Sequence, residues 1–243
     1  MTSNIYVGTS GWHYRHWVGI FYPEGMPGSD FLDYYKTYFK TVEINNTFYR
    51  MPKESTVDYW RVSAPEDFIF SVKASRYLTH IKKLKGPSEG FNEFLQIISR
   101  LGDHLGPVLF QLPPKWGCDI VRLKSFVSKL TKEYRYAFEF RNADWFNHDV
   151  YQILIDHNIA FCIYDFNRQR SPMELTADFV YVRLHGPEGA YQGSYDRTSL
   201  SQWAVEIKTW RDSGKSVYCY FDNDQKGFAV RNAMTLIKML EES

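Results

Sequence analysis

Eight times along the chain, a short run with apolar side chains at every second position alternates with a stretch of helical spacing or a loop. This alternation limits the fold more than any other feature, because period two marks strands and period 3.6 marks helices. The strands read at residues 5–8, 41–45, 69–73, 107–111, 136–141, 160–165, 179–185 and 217–221. Helices are predicted at about 30–39, 55–62, 89–101, 119–130, 147–157, 199–213 and 228–240. About a dozen residues, Pro172 among them, separate the sixth strand from the seventh, so the helix there is reduced. Strands alternating with helices imply parallel strands joined by right-handed crossovers. Eight such units in roughly 250 residues are the size of a TIM-type barrel. The rival is a doubly wound open sheet. Its G-x-G-x-x-G turn is missing after the first strand, and its buried strands would read as continuous apolar runs. The expected fold is therefore α/β, a TIM-type (β/α)8 barrel with a reduced helix between strands six and seven, as one domain over residues 1–243.

One parity of nearly every strand ends polar. In F-V-Y-V-R-L-H-G-P, from Phe179, Val180, Val182 and Leu184 share one face while Tyr181, Arg183 and His185 share the other. Taking that parity at each strand end gives Ser10, Glu43, Asn45, Lys73, Gln111, Glu139, Arg141, Asp165, Arg183, His185 and Asp222. Barrel enzymes build their sites at this end of the strands. Carboxylates, fixed cations and a histidine gathered there shift one another's proton affinities and suit acid–base chemistry. The bland alternative is a set of internal ion pairs. Glu43, Glu139, His185 and Asp222 are the candidate catalytic groups. Asn45, Lys73, His80, Gln111, Arg141 and Arg183 are candidates for holding substrate, with Trp12, Trp145 and Tyr191 from the loops as a stacking wall. The same four catalytic candidates are hard or borderline ligands, so a divalent metal is compatible with the set, although no H-x-H or H-E-x-x-H spacing supports it. Asp224, in D-N-D, reads as a loop or capping residue.

The one concentrated basic run is K-A-S-R-Y-L-T-H-I-K-K-L-K-G, residues 73–86, which suits phosphate or a nucleotide; its distal lysines read as a solvated face. A formal net charge of +1 selects neither nucleic acid nor an acidic membrane globally. The N-terminus lacks a basic-then-apolar leader, and no apolar run reaches spanning length. Cys118, Cys162 and Cys219 are odd in number and far apart. A cytoplasmic protein without membrane contact is expected. No Walker loop, G-x-S-x-G elbow or Cys–His nucleophile pattern occurs.

Read together, G-T-S-G-W from Gly8, T-V-E-I-N-N-T-F-Y from Thr41, F-S-V-K-A-S from Phe70, L-F-Q-L-P-P from Leu109, F-E-F-R from Phe138, Y-V-R-L-H-G-P from Tyr181 and Y-F-D-N-D from Tyr220 resemble the YecE-like family of uncharacterised proteins, known as domain of unknown function 72. The resemblance runs nearly end to end. It implies a TIM-type barrel and lends no established activity. The leading expectation is an enzyme acting on a small, polar, anionic molecule such as a phosphorylated sugar or nucleotide fragment. Glu139 or Glu43 would serve as general acid or base, His185 would move protons, and Lys73, Arg141 and Arg183 would hold the anion. Two alternatives stay open: a metal-dependent hydrolase or isomerase, and a non-catalytic nucleotide- or RNA-binding protein, nucleic acid being the less favoured partner.

Overall fold

The strands form where β-branched and aromatic residues alternate with polar ones. In this computed structural model, which describes residues 4–85 and 89–242, they are β1 (Ile5–Thr9), β2 (Thr41–Ile44), β3 (Ile69–Lys73), β4 (Leu105–Gln111), β5 (Tyr136–Glu139), β6 (Ala160–Phe166), β7 (Gln169–Arg170), β8 (Phe179–Leu184) and β9 (Ser216–Phe221). Their order is β1-β9-β8-β6-β5-β4-β3-β2, with β7 beside β6. Ser10, just past β1, pairs in parallel with Glu43 of β2. The fold is a TIM-type (β/α)8 barrel.

The helices are α1 (Phe31–Tyr35), α2 (Glu54–Ser63), α3 (Glu89–Ile98), α4 (Ile120–Val127), α5 (His148–Asp156), α6 (Arg197–Asp212) and α7 (Phe228–Glu241). Three begin on side-chain caps readable from sequence. Asp119 accepts from Arg122 N at α4, Asn147 from Val150 N at α5, and Asp196 from Ser199 N at α6. Each then buries one stripe, for example Leu123, Phe126 and Val127 of α4, while Val121 stays out.

The link between β6 and β8 carries no helix. Instead Asn167 (φ 53°) and Arg168 (φ 63°) turn the chain back so that β7 pairs antiparallel with β6, a two-residue hairpin with both central residues left-handed. The helix expected to be reduced is thus replaced by a hairpin.

Contacts divide the chain into two compact units. The first comprises residues up to Glu43, Ile163–Ser171 and those from Asp178; the second comprises Ile44–Cys162 and Pro172–Ala177. In the first, all six residues of β8 are buried, and Leu200, Trp203, Ile207 and Trp210 of α6 are buried with them. In the second, the core is aromatic: Phe110, Phe126 and Phe138 lie within ring contact of one another. Among the described residues no helix is long and apolar enough to cross a membrane.

Candidate active site

In the first unit the residue after each strand is held by one more step of the backbone ladder. Ser10 N donates to Phe221 O (2.8 Å), Asp222 N to Leu184 O (2.8 Å), and His185 N to Asp165 O (2.9 Å). The side chains that follow β1, β8 and β9 are therefore fixed by main chain. The close approach of β1 to β2 depends on Gly8, where a Cβ would run into the Thr41 carbonyl. Gly11 N then donates to Glu43 O at 2.8 Å.

Arg183 gathers these ends. Its Nη2 donates to Glu43 Oε1 (2.8 Å), Asp222 Oδ2 (3.0 Å) and Ser10 Oγ (3.0 Å). Two protons facing three oxygens make at least one bond shared. Ser10 Oγ donates in turn to Glu43 Oε1, and Tyr181 Oη donates to Glu43 Oε2 at 2.7 Å. His185 presents Nδ1 to Asp222 Oδ2 at 2.9 Å and Nε2 to Arg183 Nη1 at 3.4 Å. Glu43, Arg183 and His185 have no solvent exposure, while Asp222 is 6% exposed. Buried charges at this density persist because each meets an opposite charge or a hydrogen bond. Of the four, Asp222 is the one that reaches solvent.

Around this core lie groups whose protons the site controls. Tyr14 donates to Ser10 O at 2.7 Å. Burial, then the negative charge of Asp222, Asp224 and Glu43, pushes its hydroxyl up and keeps it protonated. Asp224, read from sequence as a loop residue, carries a carboxyl raised first by burial and then by Asp222, and its Oδ2 is 3.4 Å from His16 Nε2. Asp165 is raised by burial against a weaker opposing pull from Arg170. The rings of Phe166 and Tyr191 meet His185 edge-on at 5.4 and 5.6 Å. Tyr191 is 42% exposed and left-handed (φ 64°), in a loop that leaves β8 at Gly186 (φ 111°).

The structure thus brings together Glu43, Arg183, His185 and Asp222, with Tyr191 against the histidine. Trp12, in the same unit, is buried, and its carbonyl accepts from Tyr22 Oη. Sequence reasoning missed Tyr181 and Asn223 as site residues. Tyr181 shares a strand face with Arg183, which was the available signal. Asn223, between the two aspartates of D-N-D, donates to Gly193 O and Asn232 Oδ1 and so ties the loop after β8 to α7.

The remaining candidates belong to the second unit. Arg141 Nε pairs with Glu139 Oε1, and Cys162 Sγ lies 3.9 Å from Glu139 Oε2. Gln111 sits opposite Glu139 in the β4–β5 register. Lys73 is 8% exposed, its Nζ 4.5 Å above the Phe48 ring, and Asn45 starts the turn that carries Phe48. One expectation is corrected here. Trp145 is wholly buried, donates to Trp116 O and stacks on Phe140, so it packs the core and offers no face to a ligand. His80, a candidate for holding substrate, is half-buried. Burial, helped by Lys73 and Arg76, brings its pKa down to about 4, and the ring is neutral near pH 7. In the basic segment, Gly86 lies outside the described residues. Among the described residues no three His, Cys, Asp or Glu side chains are placed to hold a metal ion. Between Glu43 and Asp222 the countercharge is the Arg183 guanidinium.

A family profile described as "Protein of unknown function DUF72" matches residues 6–243. The chain is 31% identical to the UPF0759 protein YecE of Escherichia coli (strain K12) over 143 residues, which are 58% of this chain and 50% of YecE; it spans about half the length of that curated relative. It is 25% identical to the UPF0759 protein YunF of Bacillus subtilis (strain 168), covering 98% of this chain and 95% of YunF. A DUF72 family protein of Thermotoga maritima MSB8 superposes with TM-score 0.88 at 30% identity, covering 98% and 99% of the two chains. D-psicose 3-epimerase from Clostridium cellulolyticum H10, solved with D-tagatose, superposes at 0.58 with 10% identity over 98% of each chain, a likeness of fold alone.

Proposed function

This chain belongs to the DUF72 family, and we propose that it is an enzyme that moves a proton on a small polar substrate at the C-terminal ends of β1, β2, β8 and β9. The observation that carries the reading is the Asp222–His185 pair, 2.9 Å apart, with Asp222 reaching solvent and Arg183 joining it to Glu43. Asp222 meets the substrate and takes the proton, and His185, with Nδ1 facing Asp222 Oδ2 and Nε2 facing Arg183 Nη1, orients that carboxylate. Arg183 supplies a fixed positive charge that stabilises negative charge as it develops nearby, in a setting too dry to screen it. Glu43 and Ser10 hold the guanidinium in place, and Tyr181 holds Glu43.

The sequence favours an anionic substrate. In the structure Arg183 is engaged by two carboxylates, Arg141 by Glu139, and Lys73 lies over Phe48. An anion would have to displace these partners, so the proposal favours a neutral, hydroxyl-rich molecule. Such a substrate also suits Tyr191, an exposed ring beside His185 that can cover a sugar face. We place the protein in the cytoplasm, on three cysteines that remain thiols.

The test is solvent-deuterium exchange, followed by NMR, into a panel of aldoses, ketoses and polyols. Asp222→Asn and His185→Gln, each checked by circular dichroism, are expected to lower any exchange or turnover by about 10²- to 10⁴-fold. Full wild-type rates in both variants, on a compound the wild type transforms, would overturn the assignment.

A further inference from the structure

In the second unit, two loops that themselves carry no acid place cations and exposed rings side by side. Residues 45–53, after β2, hold Tyr49, which is 81% exposed, followed by Arg50. Residues 74–85, after β3, hold Arg76, Tyr77, Lys82 and Lys83, all exposed. Neither segment contains Asp or Glu. The loops meet at Phe48, whose ring lies 5.0 Å from Tyr49 and 5.1 Å from His80. Lys82 Nζ stands 5.4 Å from the centre of the Tyr77 ring.

A run of lysines is ordinarily a solvated, mobile face. This one is held. A π-helical turn, Tyr77–Ile81, leads into two successive left-handed residues, Lys83 (φ 47°) and Leu84 (φ 58°). Neither is glycine, and such a pair is disfavoured unless its surroundings impose it. They are imposed by Leu84, which is 2% exposed and donates its N–H to Leu78 O at 3.0 Å, and by Lys82 N donating to Tyr77 O at 2.8 Å. The strained turn drives Leu84 inward and leaves the lysines on either side of it pointing out. π-turns and left-handed residues gather at functional sites.

We propose that these two loops form a binding surface for single-stranded nucleic acid. The cations take the phosphates, and the faces of Tyr49 and Tyr77 take unpaired bases. A single strand fits better than a duplex because it offers bases for stacking. It fits better than a lone nucleotide because the cations are spread over two loops. The surface shares no residue with the Asp222–His185 site, so either reading can fail without the other.

The experiment is fluorescence anisotropy with labelled oligothymidylate and oligouridylate of about twelve nucleotides, titrated between about 50 and 200 mM salt. Inorganic polyphosphate and phosphatidylserine vesicles serve as comparison probes. Binding should weaken steeply with salt. Tyr49→Ala should cost about tenfold in affinity with the salt slope unchanged. Lys82→Ser with Lys83→Ser should reduce the slope by about 1.4. Lys129→Ser with Lys132→Ser, at exposed positions elsewhere on the unit, should leave it unchanged. The proposal is overturned if neither oligonucleotide binds at the lowest salt, or if the two lysine pairs act alike. It is equally overturned if Tyr49→Ala has no effect while polyphosphate binds as well, or if only the vesicles bind.

Discussion

Arg183 of β8 reaches side chains that follow β1 and β9 and one within β2, whereas Arg141 pairs with Glu139, two positions before it at the end of its own strand. Both pairs are buried, but they come into being differently. The local pair can form once one stretch of chain is extended. The Arg183 network exists only after four strand ends have been brought together, and until then its charges stay in water. Its two carboxylates share a single guanidinium nitrogen, so removing that group strands both. The difference marks the first unit as the place where burial of charge has been tolerated for something beyond local neutrality.

The largest effect should therefore come from Arg183→Leu, set against Arg141→Leu. Breaking a buried pair costs about 3–5 kcal/mol when a charge is left behind. Arg183→Leu, which abandons two carboxylates, should cost about 5 kcal/mol, and Arg141→Leu, which abandons one, about 3 kcal/mol. Urea denaturation at neutral pH measures both. Equal losses would break the comparison, because they would mean that Glu43 and Asp222 do not depend on one shared cation. Adding Glu43→Gln to Arg183→Leu sharpens it, since one stranded charge is then gone and part of the loss should return.

What the sequence discloses follows the same division. Period-two strands and the polar parity at their ends were legible, and they lead to Glu43, Arg183, His185 and Asp222 because residues of one parity at neighbouring strand ends must converge. The pairing of those charges was not legible. Arg141 turns back on Glu139, a choice of rotamer that no spacing records. Trp145 was misplaced because an aromatic residue in a loop looks the same whether it faces water or, as here, packs beside Trp116. The hairpin between β6 and β8 had one signal, the asparagine at 167, a residue that adopts left-handed geometry readily; the arginine after it does not advertise the turn.

Acid should separate the units by sign. In the second, His80 has a pKa brought down to about 4, below its ordinary 6.5. A histidine lowered on folding contributes stability above its unfolded value and loses it as pH falls through the folded one. The window is pH 6.5 to about 4. The ring is only half-buried, so screening reduces the effect to about 1 kcal/mol. His80→Gln, which cannot take up a proton, should flatten the dependence of unfolding free energy on pH across that window. A wild-type slope that survives the substitution would assign it to other groups.

Asp165 in the first unit should do the opposite, by less. Burial raises its carboxyl above the ordinary 3.8, and Arg170, with Nε 3.9 Å from Oδ2, returns only part of that. Below pH 3.8 the group is protonated in both folded and unfolded chains and makes no difference. As pH rises through the elevated folded value, the native state must hold a poorly solvated carboxylate, and stability falls. Asp165→Asn removes that ionisation while His185 N keeps its bond to the residue's carbonyl. The variant should be more stable than wild type near pH 7 by less than about 1 kcal/mol, and the two should converge as pH is lowered towards 3.8. Paired urea titrations at neutral and acid pH read this directly. A variant less stable than wild type at neutral pH would show that the Arg170 contact outweighs desolvation at this strand end. The carboxylate would then be a stabilising partner like Glu139, and the contrast between the two units would narrow to Arg183 alone.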